Sequence, residues 1–314
     1  MDPWSLFWRQ GHSTTFGDYF KQGYEGAVAD WWRSQLESAP EGVSVVEVGC
    51  GNCSLLPAMI RTGRGGRYIG VDIATVQLSA VAQEVLADGG IDCVLHSNTP
   101  AEDIPEADAS ADIVASVFGI EYSDLSRSIP EAARILKPGG RLCLLLHHHD
   151  SVVTKMSRRA ISEFNGVDVK RVINSLNAIS EERDRLASLA ELKNSTKAET
   201  GRSRINALAQ KYLSDTNPTT ANATMFEFMT NALKFFKMMG ADSEQRRGFI
   251  AMTEAEHRAS HERFEQMVSV AQDEAGMNRL KALLESAGFS GIEFDTAKTG
   301  QDILAWEMEA TKPE

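Results

Sequence analysis

"VVEVGCGNCSLL", residues 45–56, closes one apolar run at a glycine turn and opens another. Two chemistries fit the stretch. Cys50 and Cys53 form a C-x-x-C, the spacing of a thiol–disulfide centre. Gly49 and Gly51 form a G-x-G, a turn that lets backbone approach a nucleotide cofactor closely. The surrounding sequence decides between them.

Outward from this loop, short apolar runs recur: "VSVVEV" (43–48), "RYIGV" (67–71), "DCVLH" (92–96), "DIVASV" (112–117) and "RLCLLL" (141–146). Apolar runs without polar alternation are parallel strands buried on both faces. Helical patterns separate them, among them "ATVQLSAVAQEVLADGG" (74–90) and "SRSIPEAARILKPGG" (126–140), each ending in a glycine stop. The spacing predicts an α/β fold, a doubly wound, right-handed sheet. From 151 to 275 strand character is lost. "INALAQKYL" and "VKRVINSLNAISEERDRLASL" carry apolar residues on one helix face, and "TMFEFMTNALKFFKMM" (224–239) is apolar almost all round. This predicts an all-helical insertion after the fifth strand, too long for a loop. The α/β pattern returns with a helix, "GMNRLKALLESAGF", then "GIEFDTAKT" and "DILAWEMEA", close enough for an antiparallel hairpin. The predicted division is a segment 1–42, an α/β core 43–150 with 276–314, and a helical cap 151–275.

In this frame the opening loop lies at the carboxyl end of the first strand, where open α/β sheets bind ligands. Asp72 ends the next strand, 21 residues beyond Gly51. An acid there accepts hydrogen bonds from ribose hydroxyls. A redox domain would need its own small sheet and does not account for Asp72. Cys93 and Cys143 form no second C-x-x-C, so zinc has no ligand set and all four cysteines read as small buried hydrophobes. The loop is therefore a cofactor cradle. Ser54 stands where dinucleotide sites have their third glycine, so the motif alone leaves two cofactors open, a dinucleotide and S-adenosylmethionine.

E-V-G-C-G (47–51), "GVD" (70–72), "DIVASVFGIEY" (112–122) and "LKPGG" (136–140) together resemble the class I S-adenosylmethionine-dependent methyltransferases of small-molecule type. The resemblance covers 43–146, and the hairpin 292–309 is similar to that fold's reversed last strand. It implies a Rossmann-like seven-stranded sheet, its last strand antiparallel, with S-adenosylmethionine as cofactor. It further implies that Gly49, Cys50 and Gly51 border the methionine part, with Glu47 holding the loop or the amino group. Asp72 would take the ribose hydroxyls and Ile73 pack on adenine. Asn98, Thr99, Ala101 and Glu102 would border the adenine edge, and Ser116, Val117 and Phe118 face the methionine and the methyl. Many members have glycine where this chain has Cys53. "HSTTFGDYF" (12–20) is similar to a segment that folds over the cofactor in some members.

"HHHDS" (147–151) follows the fifth strand at the cleft rim. On extended backbone His147 and His149 share one side and His148 takes the other. A histidine near neutral pKa suits removal of an acceptor's proton. Hydrogen-bonded loop histidines would look the same in sequence. Glu121 and Tyr122 are further candidates for orienting an acceptor, or for capping the next turn. His257 and His261, four apart on a helix, share a face that fits a metal or plain solvent. No third ligand accompanies them, so no metal is expected. Phe228, Phe235 and Phe236 would wall an acceptor pocket if the insertion is a lid.

Net charge is −12, against a broad nucleic-acid surface. It is unevenly spread: 151–275 holds 18 Lys/Arg and 17 Asp/Glu, the remainder 14 and 27. No apolar run approaches the ~18 residues of a membrane span, and "MDPWSLFWRQ" lacks the basic-then-apolar form of a signal peptide. A cytoplasmic protein is expected. The expected activity is methyl transfer to oxygen or nitrogen of a small-molecule acceptor. Carbon methylation of a quinone- or polyketide-like acceptor is an alternative. So is a non-catalytic assembly module, and the helical insertion could also join two copies.

Overall fold

Every predicted apolar run forms a strand, since hydrogen-bonded backbone with apolar side chains on both faces is stable only between two covering layers. The computed structural model describes residues 2–15, 24–87 and 90–314. In it the strands are β1 (Val43–Val48), β2 (Gly65–Asp72), β3 (Asp92–Ser97), β4 (Ala111–Val117), β5 (Leu136–Leu146), β6 (Ser290–Thr299) and β7 (Asp302–Thr311). They make one seven-stranded sheet in the order β3-β2-β1-β4-β5-β7-β6. The first five strands are parallel neighbours, and β7 runs antiparallel to both β5 and β6. Chain order reverses direction between β1 and β4, which makes a crevice at their carboxyl ends.

Alternate residues of each strand feed two cores. Val43, Val45, Tyr68, Ile113, Cys143 and Leu145 join one, with helices α2 (Gly26–Glu37) and α3 (Leu56–Thr62). Val46, Val48, Ile69, Val114, Leu142 and Leu144 join the other, with α5 (Leu125–Ile135) and α12 (Glu274–Ser286). Helices α1 (Pro3–Trp8) and α4 (Ala80–Ala87) also belong to this part.

Two local readings differ. Predicted helix 126–140 stops at Ile135, and "LKPGG" belongs to β5 as an irregular first turn of pairing. There Gly139, at φ +74, donates its N–H to Lys312 O, a partner from the far end of the chain. The helix expected from about Ser54 opens at Leu56, because Gly51–Leu55 is spent on the turn.

Contacts divide the chain into two units, Met1–Met156 with Gln266–Glu314, and Ser157–Glu265. These bounds lie several residues from the predicted 151 and 275. Both fall inside helices, α6 (Val152–Glu163) and α11 (Ser243–Val270), where a periodic pattern runs on without a break. The second unit also contains α7 (Gly166–Arg185), α8 (Leu189–Asn194), α9 (Thr196–Leu213) and α10 (Ala223–Leu233). Its own core holds Leu176, Ile205, Met225, Phe228 and Phe235. Buried Asp168 accepts from Tyr212 Oη and Lys211 Nζ, each at 2.7 Å, tying α7 to α9. No described helix is long and apolar enough to cross a membrane.

Candidate active site

The glycine loop is held from three sides. Gly49 N–H and Cys50 N–H donate to Val71 O at 2.8 and 3.1 Å. Gly49 lies at φ +68, and a Cβ there would stand 2.5 Å from Gly119 Cα, so the β1 and β4 loops touch backbone to backbone. Gly51, at φ +51, lies under Trp8, whose ring a Cβ would meet at 2.3 Å. Cys53 sits at φ +62, in the left-handed region that glycine enters freely.

Two buried acids flank this loop. Asp72 Oδ2 accepts from Gly51 N–H and Oδ1 from Ala74 N–H, both at 2.8 Å. Burial outweighs these bonds and pushes its pKa up to about 6. Glu47 lies inside the first core, accepts from Tyr68 Oη, and is further held by Leu55 N–H and Ser54. Burial raises it to about 8. At neutral pH Glu47 is therefore a protonated acid bonded to the loop.

A cavity of about 370 Å³ opens at the switch point, lined by Val48 and Gly49 from β1, Val71, Asp72 and Ile73 from β2, and Phe118 and Gly119 from β4. Ile73 is 65% exposed, an apolar side chain left at the surface beside a buried acid. Thr99, Ala101 and Glu102 line the side beyond β3, and Tyr122, Ser123 and Arg127 the rim. Of the other predicted cofactor residues, Cys50, Gly51, Asn98 and Val117 are not part of this lining. Ser116 is fully buried, donating to Val48 O at 2.7 Å and accepting from Ile120 N–H at 2.8 Å. It locks the two loops together.

Trp4 and Trp8, which also line the cavity, were missed from sequence. Their signal was present. Asp2 caps α1, accepting from Ser5 N–H at 2.7 Å, and Pro3 opens it. Asn52 Nδ2 donates to Trp8 O and His12 O, each at 2.9 Å, and Thr75 N–H to Ser5 Oγ at 2.8 Å, seating the helix on the loop. Of the stretch 12–20 noted in the sequence, 16–20 lie outside the described residues.

The three histidines take three settings, and His149, in a turn, does not share the buried setting of His147 as extended backbone would give. His147 is buried, stacks on Phe118 at 4.6 Å, and pairs through Nε2 with Tyr122 Oη at 3.0 Å. Burial lowers its pKa to about 3. His148 packs on Trp306, its Nδ1 accepting from Asp150 N–H at 2.9 Å. His149 is exposed, with Asp150 Oδ1 at 3.2 Å from Nδ1. Glu121, in the 3₁₀ turn Ile120–Tyr122, is buried and accepts from His147 N–H at 3.0 Å. Burial raises its pKa to about 7.

These pKa values predict how stability varies with pH. Glu47 and Glu121 keep their protons when folded and lose them near pH 4 when unfolded, so their contribution disappears as pH rises through about 7 and 8. Below pH 6.5 the buried His147 and His257, lowered to about 3 and 4, act in the opposite sense. Above it they are neutral in both states. The Tm of the ligand-free protein is therefore expected to fall between pH 6.5 and 9, by calorimetry at constant ionic strength. A rising Tm would contradict the burial of both acids.

All four cysteines are free; Cys50, Cys53 and Cys143 are buried, and burial pushes the Cys50 thiol far up, which disfavours the thiolate a redox centre needs. Phe228 and Phe235 lie inside the helical unit's own core, with Phe236 packed against it. His257 and His261 both stack on Phe164, at 5.1 and 4.0 Å. Among the described residues no group of three or more His, Cys, Asp or Glu is placed to hold a metal.

Residues 46–144 match the family model described as "Methyltransferase domain". Nocamycin O-methyltransferase of Saccharothrix syringae is 36% identical over 105 residues, 33% of this chain and 37% of that protein. A ubiquinone/menaquinone biosynthesis C-methyltransferase of Geotalea daltonii is 33% identical over 125 residues, 38% of this chain and 53% of that one. The chain thus spans about a third to a half of the length of these curated relatives. Among solved structures, a SAM-dependent methyltransferase of Thermotoga maritima, described as a possible histamine N-methyltransferase, covers 99% of this chain and 100% of its own at 13% identity and a TM-score of 0.41.

Proposed function

Because residues 46–144 make up a class I S-adenosylmethionine-dependent methyltransferase domain, we propose that the protein transfers a methyl group from S-adenosylmethionine to oxygen or nitrogen of a small-molecule acceptor. The observation that carries this reading is the cavity at the β1/β4 switch point, where a buried acid, an exposed isoleucine and a glycine turn meet. Its volume of about 370 Å³ is that of a small-molecule site. These residues fit the cofactor. Asp72 would accept from its ribose hydroxyls, Ile73 would pack on adenine, and Gly49 lets the chain approach the methionine part. When bound, S-adenosylmethionine supplies an electrophilic methyl on a cationic sulfonium. Trp4, Trp8, Phe118 and Tyr122 give the cavity aromatic walls, which favour a cation and exclude water. A hydrated acceptor is a poorer nucleophile, so dry walls and fixed orientation are what the protein contributes.

Polar groups of Tyr122, Ser123, Glu102 and Arg127 at the rim support a heteroatom acceptor. Net charge of −12 stands against nucleic acid. Carbon methylation of a quinone-like acceptor is the second reading, favoured by the likeness to the Geotalea daltonii protein. Four unpaired cysteines support a reducing compartment, the cytoplasm.

Isothermal titration with S-adenosylmethionine and with NAD tests the cofactor, and binding of NAD alone would refute the proposal. Incubation with methyl-labelled cofactor and an extract of the source cells tests the transfer. One labelled small product carrying an O- or N-methyl group is expected. A C-methyl product would favour the second reading. Binding without any transfer would leave a cofactor-dependent assembly module instead.

A further inference from the structure

Two buried polar atoms beside the cavity have no hydrogen-bond partner among the described residues, Glu121 Oε2 and His147 Nδ1. They belong to side chains already joined, since Glu121 Oε1 accepts His147 N–H at 3.0 Å. Above pH 7, where Glu121 is ionised, its oxygen accepts from a ring N–H, and His147 Nδ1 can carry that hydrogen. A buried polar atom without a partner is costly, so each of the two gains by pairing with the other. The opposite ring nitrogen, Nε2, is 3.0 Å from Tyr122 Oη. Tyr122 lines the cavity. Phe118, stacked on the imidazole at an interplanar angle of 15°, fixes the ring plane along this line.

We propose that Glu121, His147 and Tyr122 form a proton relay, with Tyr122 the catalytic residue and the other two positioning it, and that the acceptor is a hydroxyl that must lose a proton. The proposal rests on the methyl-transfer reading above. His147 carries its hydrogen on Nδ1, directed to Glu121, which leaves Nε2 to accept from Tyr122 Oη–H. The acceptor's heteroatom gives a lone pair to the methyl carbon, and the electrons of the carbon–sulfur bond return to sulfur. The heteroatom–hydrogen bond then breaks, its electrons staying on the heteroatom. Its proton goes to Tyr122 Oη as the Tyr122 proton passes to His147 Nε2. Above pH 7 Glu121 is ionised and balances the imidazolium. A methylated, still protonated oxygen is strongly acidic, so the weakly basic His147 is sufficient. Water later removes the proton, which restores all three groups.

The experiment reads the tautomer. Full-length protein labelled with ¹⁵N-histidine is observed at pH 8 by long-range ¹H–¹⁵N NMR, with His147 assigned through its ring contact with Phe118. The Nδ1–H tautomer is expected, and Glu121→Gln should shift the Nδ1 resonance. An Nε2–H tautomer in the unmodified protein would overturn the relay, as would Nδ1 unchanged in a folded Glu121→Gln. Transfer of labelled methyl into the extract's product should fall about 100-fold or more in Tyr122→Phe, the range of lost acid–base catalysis. An undiminished rate would remove Tyr122 from the chemistry. If the unmodified protein neither binds S-adenosylmethionine in calorimetry nor transfers label, the proposed function fails. If it does both with the wrong tautomer, the relay alone fails.

Discussion

Asp72→Ala raises the dissociation constant for S-adenosylmethionine by about 100-fold, as the expected result of titration calorimetry. Each hydrogen bond to a charged acceptor contributes about 1.5–3 kcal/mol. Two bonds, less relaxation, leave about 3 kcal/mol, or roughly 100-fold in affinity. The carboxylate also has a second task. Its two oxygens hold Gly51 N–H and Ala74 N–H at 2.8 Å, so alanine removes partners from both the glycine turn and the turn before α4. Asp72→Asn keeps one acceptor oxygen and is expected to fall between the two. An unchanged dissociation constant in folded Asp72→Ala would place the ribose elsewhere.

Gly49→Ala is expected to destabilise the protein by about 2–5 kcal/mol. A side chain in the left-handed region costs about 1–2 kcal/mol. The collision adds about 1–3 kcal/mol more, as for overpacking, since Cβ would stand 2.5 Å from Gly119 Cα and backbone cannot rotate aside. For a chain of this size the fall in Tm is about 3–8 °C. Gly63→Ala is the control. Gly63 has the same handedness, φ +66, with nothing within 4 Å of a Cβ, so it is expected to lose only the conformational part. Equal falls in Tm for both variants would mean that the close approach of the β1 and β4 loops contributes nothing.

Particular residues mark how far the sequence could be read. "VSVVEV" and "RLCLLL" declared buried parallel strands, because a run apolar on both faces has few other stable homes. Gly49, Gly51 and Asp72 declared a cradle at a strand end, since glycine turns and strand-terminal acids act locally. The alternation along "HHH" separated His147 from His148. By contrast, "MDPWSLFW" carried a cap, a helix-opening proline and three aromatics, yet nothing in it said that Trp8 would cover Gly51, 43 residues on. "LKPGG" looked like a stop and became part of β5, because Lys312, just past β7, supplied its partner. The limits of the helical unit were hidden inside unbroken helices.

The sequence by itself determined the doubly wound sheet, the closing hairpin, the helical insertion and the glycine loop. Those depend on periodicity and turn chemistry, which act over a few residues and are written in their spacing. Tertiary structure alone decided that Glu47 is a buried acid bonded to the loop, and that Ser116 is a lock rather than a lining group. It also decided that Glu121 and Tyr122 meet His147 across 26 and 25 residues. Burial, pKa and unpaired polar atoms are set by groups distant in the chain, and no local pattern encodes which of them arrive together.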